Sequence, residues 1–156
     1  KLNIFMDIIG IAAVTLDGFI ARHSLERVAW TKDLSLFKHQ TKGHTVVMGF
    51  NTKETLKNDL EGRQAITVKR KDSPREILKK INRKKCFIIG GGKTFSMFAD
   101  YLTHLYITPH PLIFGKGIKL FETHEKEIKL KYERNIPVFP EKGIFQYQFK
   151  IDHQIK

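Results

Sequence analysis

Two junctions, each between an apolar run and a helix-compatible segment, carry glycines at positions suited to binding an anion. Residues 45–52 read TVVMGFNT, and residues 86–95 read CFIIGGGKTF. Glycine at the end of a strand lets a ligand approach the backbone where a Cβ would exclude it. The start of a helix offers unpaired N–H groups and the positive end of the helix dipole to an anion. Two such junctions predict a ligand with phosphate groups, most simply a nucleotide, although glycine at a strand-to-helix turn also occurs for turn geometry alone.

The composition fits a globular protein of one domain over residues 1–156. Of these residues 41% are hydrophobic and 12 are Phe, which is enough to bury a core. The single cysteine, Cys86, argues against a disulfide framework and a cysteine-based zinc site, and its apolar surroundings predict a buried small side chain. We expect no bound metal. No apolar stretch reaches membrane-spanning length and no signal peptide is visible, which favours a cytoplasmic protein without membrane contact.

The net charge of +12 raises the hypothesis of a nucleic-acid partner. The basic residues are spread along the chain, and no zinc-finger, helix-turn-helix or RNP-like aromatic motif accompanies them. A solvated surface that also attracts small anionic ligands is therefore the favoured interpretation, and a basic nucleic-acid-binding domain is the weakest alternative.

Strand and helix patterns alternate along the chain. Apolar runs predict strands at residues 8–15, 44–48, 63–68, 86–89 and 105–108. Helical spacing predicts helices at residues 33–41, with Thr31 as N-cap, at 52–56, after the cap Ser73, and at 93–99. Residues 19–29 are predicted as an irregular loop, and residues 128–151, with Pro137, Pro140 and Gly143, as an antiparallel hairpin. The pattern predicts a three-layer α/β fold with a mostly parallel central sheet and an antiparallel C-terminal hairpin.

An ordered set of short motifs extends from about residue 8 to residue 108. It comprises Ile11-Ala12-Ala13, Asp17, Ile20, Trp30, Asp33-Leu34, Phe37-Lys38, Thr41, Met48-Gly49, Thr52, Leu60-Glu61-Gly62-Arg63, Ile89-Gly90-Gly91-Gly92 and Tyr106-Ile107-Thr108. This ordered set resembles the dihydrofolate reductase family, and residues 111–118 resemble its thermophilic bacterial, Thermotoga-like branch. The resemblance implies a dihydrofolate reductase-like fold, NADPH as the cofactor, dihydrofolate as the small-molecule substrate and, from the thermophilic branch, a homodimer.

The resemblance assigns catalytic roles to Asp33 and Thr108. Asp33 would hold the amino and N3–H groups of the pterin and raise the basicity of N5, while Thr108 would hydrogen-bond both Asp33 and the pterin. Burial beside Leu34 and Phe37 should raise the pKa of Asp33, and the helix dipole should lower it. Two alternatives stay open. Asp33 could merely stabilise the first helical turn, or Asp17 could be the acid, although its surroundings are typical of a turn.

The resemblance also implies two sets of binding residues. The substrate set is Ile11, Ala12, Leu34, Phe37, Lys38, Leu56, Leu60 and Arg63, whose apolar members could equally be ordinary core residues. The cofactor set is Ala13, Ile20, Gly49, Asn51, Thr52, Lys69, Arg70, Ile89, Gly91, Gly92, Lys93 and Thr94. Arg63 would bind the α-carboxylate of the folate glutamate through two parallel hydrogen bonds, whereas a surface arginine after a glycine turn is the plain alternative.

Three departures from the family pattern bear on activity. Phe50 stands where most members have an arginine that contacts the 2′-phosphate of NADPH, and Lys69 and Arg70 could compensate for it. The loop between Ile20 and Trp30 lacks the usual proline before Trp30, and the spacing from Trp30 to Asp33 is shorter than in most members. Glu61 replaces another common proline. Loop closure, and with it turnover, could therefore be slow.

A second enzyme with the same fold is the main alternative. Residues 16–21 and 111–121 also resemble the diaminopyrimidine ribosyl-phosphate reductase of riboflavin biosynthesis. That enzyme has less use for Arg63 and does not require the set of Asp33, Phe37 and Lys38, so their presence favours folate. The interface predicted for a homodimer comprises the apolar segment 114–121 and the C-terminal hairpin.

Overall fold

Strands and helices alternate in the computed structural model, which describes residues 5–56 and 59–153. The strands are β1 (Asp7–Thr15), β2 (Phe19–Ala21), β3 (Thr45–Met48), β4 (Gln64–Thr67), β5 (Lys85–Gly90), β6 (His104–His110), β7 (Ile118–Lys119), β8 (Leu130–Phe139) and β9 (Ile144–Ile151). The helices are α1 (Leu34–Thr41), α2 (Phe50–Leu56), α3 (Pro74–Lys79) and α4 (Gly92–Phe98), with 3₁₀ turns at Ala99–Tyr101 and Pro140–Lys142. The predicted domain also includes residues 1–4, 57–58 and 154–156, which lie outside the described residues. Within the described part of the chain, no helix combines the length and apolar character needed to cross a membrane.

Most of the strands form one sheet in the order β4-β3-β5-β1-β6-β9-β8. The five strands from β4 to β6 run parallel, and β9 and then β8 are added antiparallel. The predicted mostly parallel sheet with an antiparallel C-terminal hairpin is therefore confirmed. The hairpin turn ends at Gly143, whose φ of 73° lies in the left-handed region that glycine adopts without a steric penalty.

The core lies on both faces of this sheet. On β1, Ile8 belongs to a buried cluster with Leu78 of α3 and Phe98 of α4. Its neighbour Ile9 belongs to a second cluster, against which Phe37 of α1 packs. Because successive side chains of a strand point to opposite faces, the two clusters place helices on opposite sides of the sheet. This arrangement confirms the predicted three layers.

Helix α3 begins as its sequence predicts. The Ser73 hydroxyl oxygen accepts a hydrogen bond from the Glu76 N–H at 3.4 Å, and Pro74 occupies the first turn. Proline is tolerated there because its missing N–H would have no helical partner. Ile77 and Leu78 are buried, as the helical spacing predicts.

The prediction of an irregular loop at residues 19–29 is wrong for its first part. Residues 19–21 form β2, which pairs antiparallel with β7 and makes a second, small sheet. The two strands pass so close that a Cβ on Gly117, next to β7, would stand 2.3 Å from the carbonyl oxygen of Ala21. The partner strand lies about a hundred residues further along the chain, so no local pattern reveals the pairing.

The prediction of Thr31 as the N-cap of α1 is also wrong. The helix begins at Leu34 and its N-cap is Asp33, whose carbonyl oxygen accepts the hydrogen bond of the Phe37 N–H at 2.9 Å. The N–H of Lys32 donates to the His110 side chain, far along the sequence. This bond holds Lys32 outside the helix, so the helix begins only after it.

Candidate active site

A cleft of about 670 Å³ opens at the carboxyl ends of β1, β3 and β5. In sheets of parallel strands this edge is the usual place for a ligand, because the strands end there and the following helices leave to either face. The cleft brings together most of the residues predicted to bind substrate or cofactor. They are Ile11, Ala12, Ala13, Ile20, Asp33, Leu34, Phe37, Gly49, Asn51, Thr52, Leu56, Ile89, Gly91, Gly92, Lys93 and Thr94.

Asp33 provides the buried acid group of the cleft. Its backbone starts α1, but its side chain makes no capping hydrogen bond, and only 8% of its surface is exposed. Among the described residues no cationic side chain forms an ion pair with it. The interpretation that Asp33 only stabilises the first helical turn is therefore not supported. The carboxyl group remains available to a ligand.

Burial raises the pKa of Asp33 above its usual value, because a charged carboxylate loses hydration in the cleft wall. The neighbouring His110 ring would oppose this shift if it were charged, but its Nε2 accepts the Lys32 N–H and so carries no hydrogen. The Asp33 amide and the Thr108 hydroxyl favour the charged form more weakly. The net shift of the Asp33 pKa is upward, so burial outweighs the causes that lower it.

Thr108 stands behind Asp33 and is fully buried. Its hydroxyl is close enough to influence the Asp33 carboxyl, yet the two groups do not reach hydrogen-bond geometry. Among the described residues the Thr108 Oγ1 atom consequently has no hydrogen-bond partner. A buried hydroxyl without a partner costs about 1–3 kcal/mol. A ligand that reached this position would remove that cost.

Asp17, the alternative acid, serves a different purpose. Its carboxylate accepts hydrogen bonds from the Thr15 hydroxyl at 2.6 Å and from the N–H groups of Phe114 and Gly115 at 3.1 and 2.7 Å. The hydrogen bond from Thr15, followed by those from the backbone, holds the pKa of Asp17 below its usual value. Asp17 is exposed and lies outside the cleft lining, so it ties two loops together.

The two glycine junctions lie side by side in the cleft. The Gly49 N–H donates to the Gly90 carbonyl at 2.8 Å, which joins the end of β3 to the end of β5. A Cβ on Gly49 would stand 2.9 Å from the Thr94 hydroxyl oxygen, and one on Gly90 would stand 3.0 Å from that of Thr52. The junctions therefore form a cradle whose closeness depends on glycine, bordered by two threonine hydroxyls. Its shape and polar groups fit the predicted phosphate ligand.

Arg63 does not line the cleft, but its position is well defined. Its Nε donates to the Thr41 hydroxyl at 2.9 Å, and its two terminal nitrogens donate to the carbonyls of Glu61 and Lys38. A guanidinium group has five N–H donors, so these contacts leave one donor on each terminal nitrogen. Arg63 is thus held against the C-terminal half of α1, with one N–H left on each terminal nitrogen.

Five other predicted residues also lie outside the cleft lining: the buried Thr108, and Lys38, Leu60, Lys69 and Arg70. Lys38 forms an ion pair with Asp59 at 3.0 Å, and Leu60 is buried in the cluster that holds Phe37. Lys69 and Arg70 are exposed beyond the end of β4. Phe50 is 63% exposed and does line the cleft, beside the glycine cradle.

His110, which ends β6 and is 1% exposed, is a residue of this region that the sequence pattern does not reveal. Its Nε2 accepts a hydrogen bond from the Lys32 N–H at 2.9 Å, and its Nδ1 bonds to the Thr108 carbonyl at 2.8 Å. A lone histidine in a strand gives no local signal of such contacts. The part of the loop that carries His23, Glu26 and Arg27 also lines the cleft, as does Glu122. Among the described residues no cluster of His, Cys, Asp and Glu could hold a metal ion.

Comparisons with known proteins agree with this architecture. A family model described as dihydrofolate reductase matches residues 7–117 of the chain. A solved dihydrofolate reductase from Enterococcus faecalis, complexed with NADP(H) and RAB-propyl, superposes with a TM-score of 0.75 at 21% identity, over 94% of this chain and 96% of that one. The structural likeness shows that the predicted dihydrofolate reductase-like fold is correct.

A second solved structure is equally similar. It is a diaminohydroxyphosphoribosylaminopyrimidine deaminase/5-amino-6-(5-phosphoribosylamino)uracil reductase from Thermotoga maritima, with a TM-score of 0.75 at 19% identity, over 94% of this chain and 57% of that one. Because this Thermotoga neighbour is a deaminase/reductase, the predicted thermophilic branch stays a prediction. No curated protein sequence matches the chain.

Proposed function

The chain belongs to the dihydrofolate reductase family, and we propose that it reduces 7,8-dihydrofolate to 5,6,7,8-tetrahydrofolate with NADPH. The observation that carries the proposal is the Asp33 carboxyl group, which is buried at the cleft and has no ion-pair partner among the described residues. A fold gains nothing from burying an acid group in this way unless a ligand uses it. The unpartnered Thr108 hydroxyl behind it supports the same conclusion.

In this proposal Asp33 recognises the substrate. A flat heterocycle that presents an amino group and a ring N–H could satisfy both carboxylate oxygens with charge-assisted hydrogen bonds. The negative charge beside the ring would also raise the basicity of the nearby ring nitrogen, which must gain a proton during reduction. Because burial raises the pKa of Asp33, the site favours a bound substrate that carries the extra proton.

The residues of the glycine cradle fit a dinucleotide cofactor. Gly49, Gly91, Thr52 and Thr94 would hold its pyrophosphate, and Ala13 would border its nicotinamide ring. When bound, NADPH supplies the hydride. The protein's part is to hold the substrate ring face to face with the cofactor and to exclude water from the cleft.

Preference for NADPH over NADH rests on two exposed cations. The side chain at the position of the family's arginine, Phe50, carries no charge and cannot bind a 2′-phosphate. We propose that Lys69 and Arg70, beyond the carboxyl end of β4, attract the 2′-phosphate instead. Their exposure supports this role, because both side chains extend into solvent and can move toward a phosphate.

Arg63 favours folate over the ribosyl-phosphate substrate of riboflavin biosynthesis. Its two remaining N–H donors, one on each terminal nitrogen, suit the bidentate grip of a carboxylate such as that of the folate glutamate. The deaminase/reductase is structurally similar to the chain, so its pyrimidine substrate is an alternative that can be tested. It is not the preferred substrate. The same assay distinguishes the two substrates.

The deciding experiment follows NADPH oxidation spectrophotometrically with dihydrofolate and, in parallel, with the diaminopyrimidine ribosyl phosphate. Methotrexate should block the first reaction. We expect turnover with dihydrofolate in the parent and its loss in Asp33→Asn, whereas Asp17→Asn should retain it. Turnover with the pyrimidine alone, or equal activity of Asp33→Asn and the parent, would refute the proposal.

We also propose that residues 1–156 form one domain and that this domain dimerises. The main sheet takes strands from both ends of the chain, which supports a single domain. An apolar groove of about 430 Å³, which includes Leu120, Phe121, Ile128 and Phe149, borders both segments of the predicted interface. Sedimentation equilibrium tests the dimer, and a monomer at micromolar concentration would refute it.

A further inference from the structure

The imidazole ring of His110 is buried at the end of β6 and uses both of its nitrogens. Its Nε2 lies 2.9 Å from the Lys32 nitrogen, and its Nδ1 lies 2.8 Å from the Thr108 carbonyl oxygen. A peptide N–H can only donate, so Nε2 must accept with its lone pair. A carbonyl can only accept, so Nδ1 carries the hydrogen. The two bonds therefore hold the ring in one neutral tautomer.

These two bonds join the elements that carry the proposed catalytic pair. Lys32 directly precedes Asp33, and Thr108 is the residue whose hydroxyl stands behind the Asp33 carboxyl. The segment before α1 has no other side-chain anchor of this kind among the described residues, and Asp33 itself makes no capping bond. The His110 ring is thus the connection between the end of β6 and the segment that delivers the carboxyl group to the cleft.

Aromatic neighbours fix the ring on its remaining sides. Trp30 packs edge to face on His110, with ring centroids 5.4 Å apart and planes at 90°. Phe114 packs on Trp30 at 5.2 Å and 78°. Perpendicular arrangements at these distances are attractive, and they restrict how far the histidine ring can rotate. The neutral tautomer and its orientation are therefore set before any ligand arrives.

We propose that His110 is a positioning residue, which fixes the place of the Asp33 carboxyl by accepting the hydrogen bond of the Lys32 N–H, while its bond to the Thr108 carbonyl holds the tautomer that can accept it. The proposal rests on the proposed function, because it concerns the acid group of that reaction. His110 itself lies outside the cleft lining and touches no reacting atom. Its effect on catalysis must consequently pass through Asp33.

Two substitutions separate the two hydrogen bonds. In His110→Gln the amide reaches the place of Nε2, so its oxygen can still accept from the Lys32 N–H. In His110→Asn the amide reaches only the place of Nδ1, and the Lys32 N–H loses its partner. We expect kcat/KM for dihydrofolate to fall about tenfold or more in His110→Asn, since small displacements of a catalytic group are costly, and to stay within about threefold of the parent in His110→Gln.

A double-mutant comparison shows whether the effect passes through Asp33. In an Asp33→Asn background, His110→Asn should change kcat/KM by less than about twofold, because the group it positions is gone. KM for NADPH should not change in either background. An equal loss in both backgrounds, or equal losses in His110→Gln and His110→Asn, would overturn the proposal.

The fluorescence of Trp30 tests the same contacts without substrate. It is the one tryptophan of the chain, and it packs on the His110 ring three residues before Asp33. Both His110→Asn and His110→Gln remove the ring that packs on Trp30, so the comparison between them isolates the bond to the Lys32 N–H. We expect a more red-shifted emission maximum and stronger quenching by acrylamide in His110→Asn than in His110→Gln, while the control His104→Asn, on the same strand, keeps the emission of the parent. Equal emission of the two His110 variants refutes the positioning role whatever the substrate is.

Failure of the proposed function and failure of the positioning role of His110 can be distinguished. If the parent reduces no dihydrofolate, the proposed function fails, and the comparison of His110 variants is made with the pyrimidine substrate and the Trp30 emission. If His110→Asn does not fold, His110→Gln decides, because a tenfold loss of kcat/KM in a folded His110→Gln variant contradicts the proposal.

Discussion

Replacing Asp33 by asparagine should remove activity and at the same time stabilise the protein. The substitution keeps the shape of the side chain and removes its charge. In the proposed complex the carboxylate makes two charge-assisted hydrogen bonds, each worth about 1.5–3 kcal/mol. Their loss amounts to about 3–6 kcal/mol, or about 10²–10⁴ in kcat/KM, which agrees with the usual contribution of a catalytic acid or base. We expect a decrease in this range, measured by NADPH oxidation at saturating cofactor.

The effect on stability follows from the direction of the pKa shift. Burial raises the pKa of Asp33 above its ordinary value of 3.8, so the folded protein binds this proton more tightly than the unfolded chain does. The free energy of unfolding of the parent therefore decreases as the pH rises through the interval between the two pKa values. Asp33→Asn does not titrate and avoids this loss, so it should be the more stable protein at pH 7. The advantage should vanish below about pH 3.8.

Asp17 provides the matched control, because its shift has the opposite sign. The hydrogen bond from Thr15 lowers the pKa of Asp17, so its contribution to stability is present at neutral pH and lost on acidification. Asp17→Asn should therefore be less stable than the parent at pH 7 and fully active. In a chain of this size, a gain or loss of 1 kcal/mol moves the melting temperature by about 2–4 °C, which scanning calorimetry resolves.

The reasoning about Asp33 fails if Asp33→Asn melts below the parent at pH 7, because the carboxylate would then be a stabilising group and not a group held in place for a ligand. It also fails if the variant keeps more than about a tenth of the parent kcat/KM, since the proposed hydrogen bonds to the substrate cannot be that weak.

Three further predictions concern the cofactor, the core and the glycine cradle. In Lys69→Ala and in Arg70→Ala, the ratio of kcat/KM with NADPH to that with NADH should fall about three- to tenfold, since each removes one charged contact to a phosphate. The Cys86 thiol, whose pKa burial raises to about 12, should react with a disulfide reagent only when the protein unfolds. Gly92→Ala should lower the free energy of unfolding by about 1–3 kcal/mol in urea denaturation, because its Cβ would stand 2.4 Å from the Lys119 carbonyl oxygen.

Each of these predictions has its own control or contrary result. Lys79→Ala and Lys80→Ala remove a cation from the exposed side of α3 and should leave the cofactor ratio unchanged. A ratio that also stays at the parent value in Lys69→Ala and Arg70→Ala would contradict the compensation for Phe50. Labelling of Cys86 at the same rate in native and denaturing buffer would contradict its burial, and an unchanged urea midpoint for Gly92→Ala would contradict the close approach of β7.

The sequence was sufficient where a residue's environment comes from its near neighbours. The apolar run of β1 can be recognised because it is buried on both faces, as a central parallel strand must be. Ser73 and Glu76 lie within one turn of each other, so their capping bond follows from spacing alone. The glycine junctions could be recognised for the same reason, and the structure places both in one cleft.

Contacts between distant parts of the chain were not accessible in this way. The bond between Lys32 and His110 spans 78 positions and decides where α1 begins, which is why Thr31 was predicted wrongly as the cap. The pairing of β2 with β7 is likewise non-local. The role of Arg63 in binding a carboxylate stays a prediction, and its contacts with three groups around the end of α1 could not be foreseen.

Buried polar atoms without a hydrogen-bond partner indicate where the fold leaves hydrogen bonds to a ligand. Among the described residues, the buried side-chain atoms with no hydrogen-bond partner are Trp30 Nε1 and Thr108 Oγ1. Trp30 packs on the His110 ring, and Thr108 bonds to that ring through its carbonyl oxygen. Each such atom lowers stability by about 1–3 kcal/mol, and an apolar side chain of similar size would avoid that loss. Packing does not explain the unpaired Thr108 hydroxyl. In the proposed function, a polar ligand that binds Asp33 would also complete the hydrogen bond of the hydroxyl behind it.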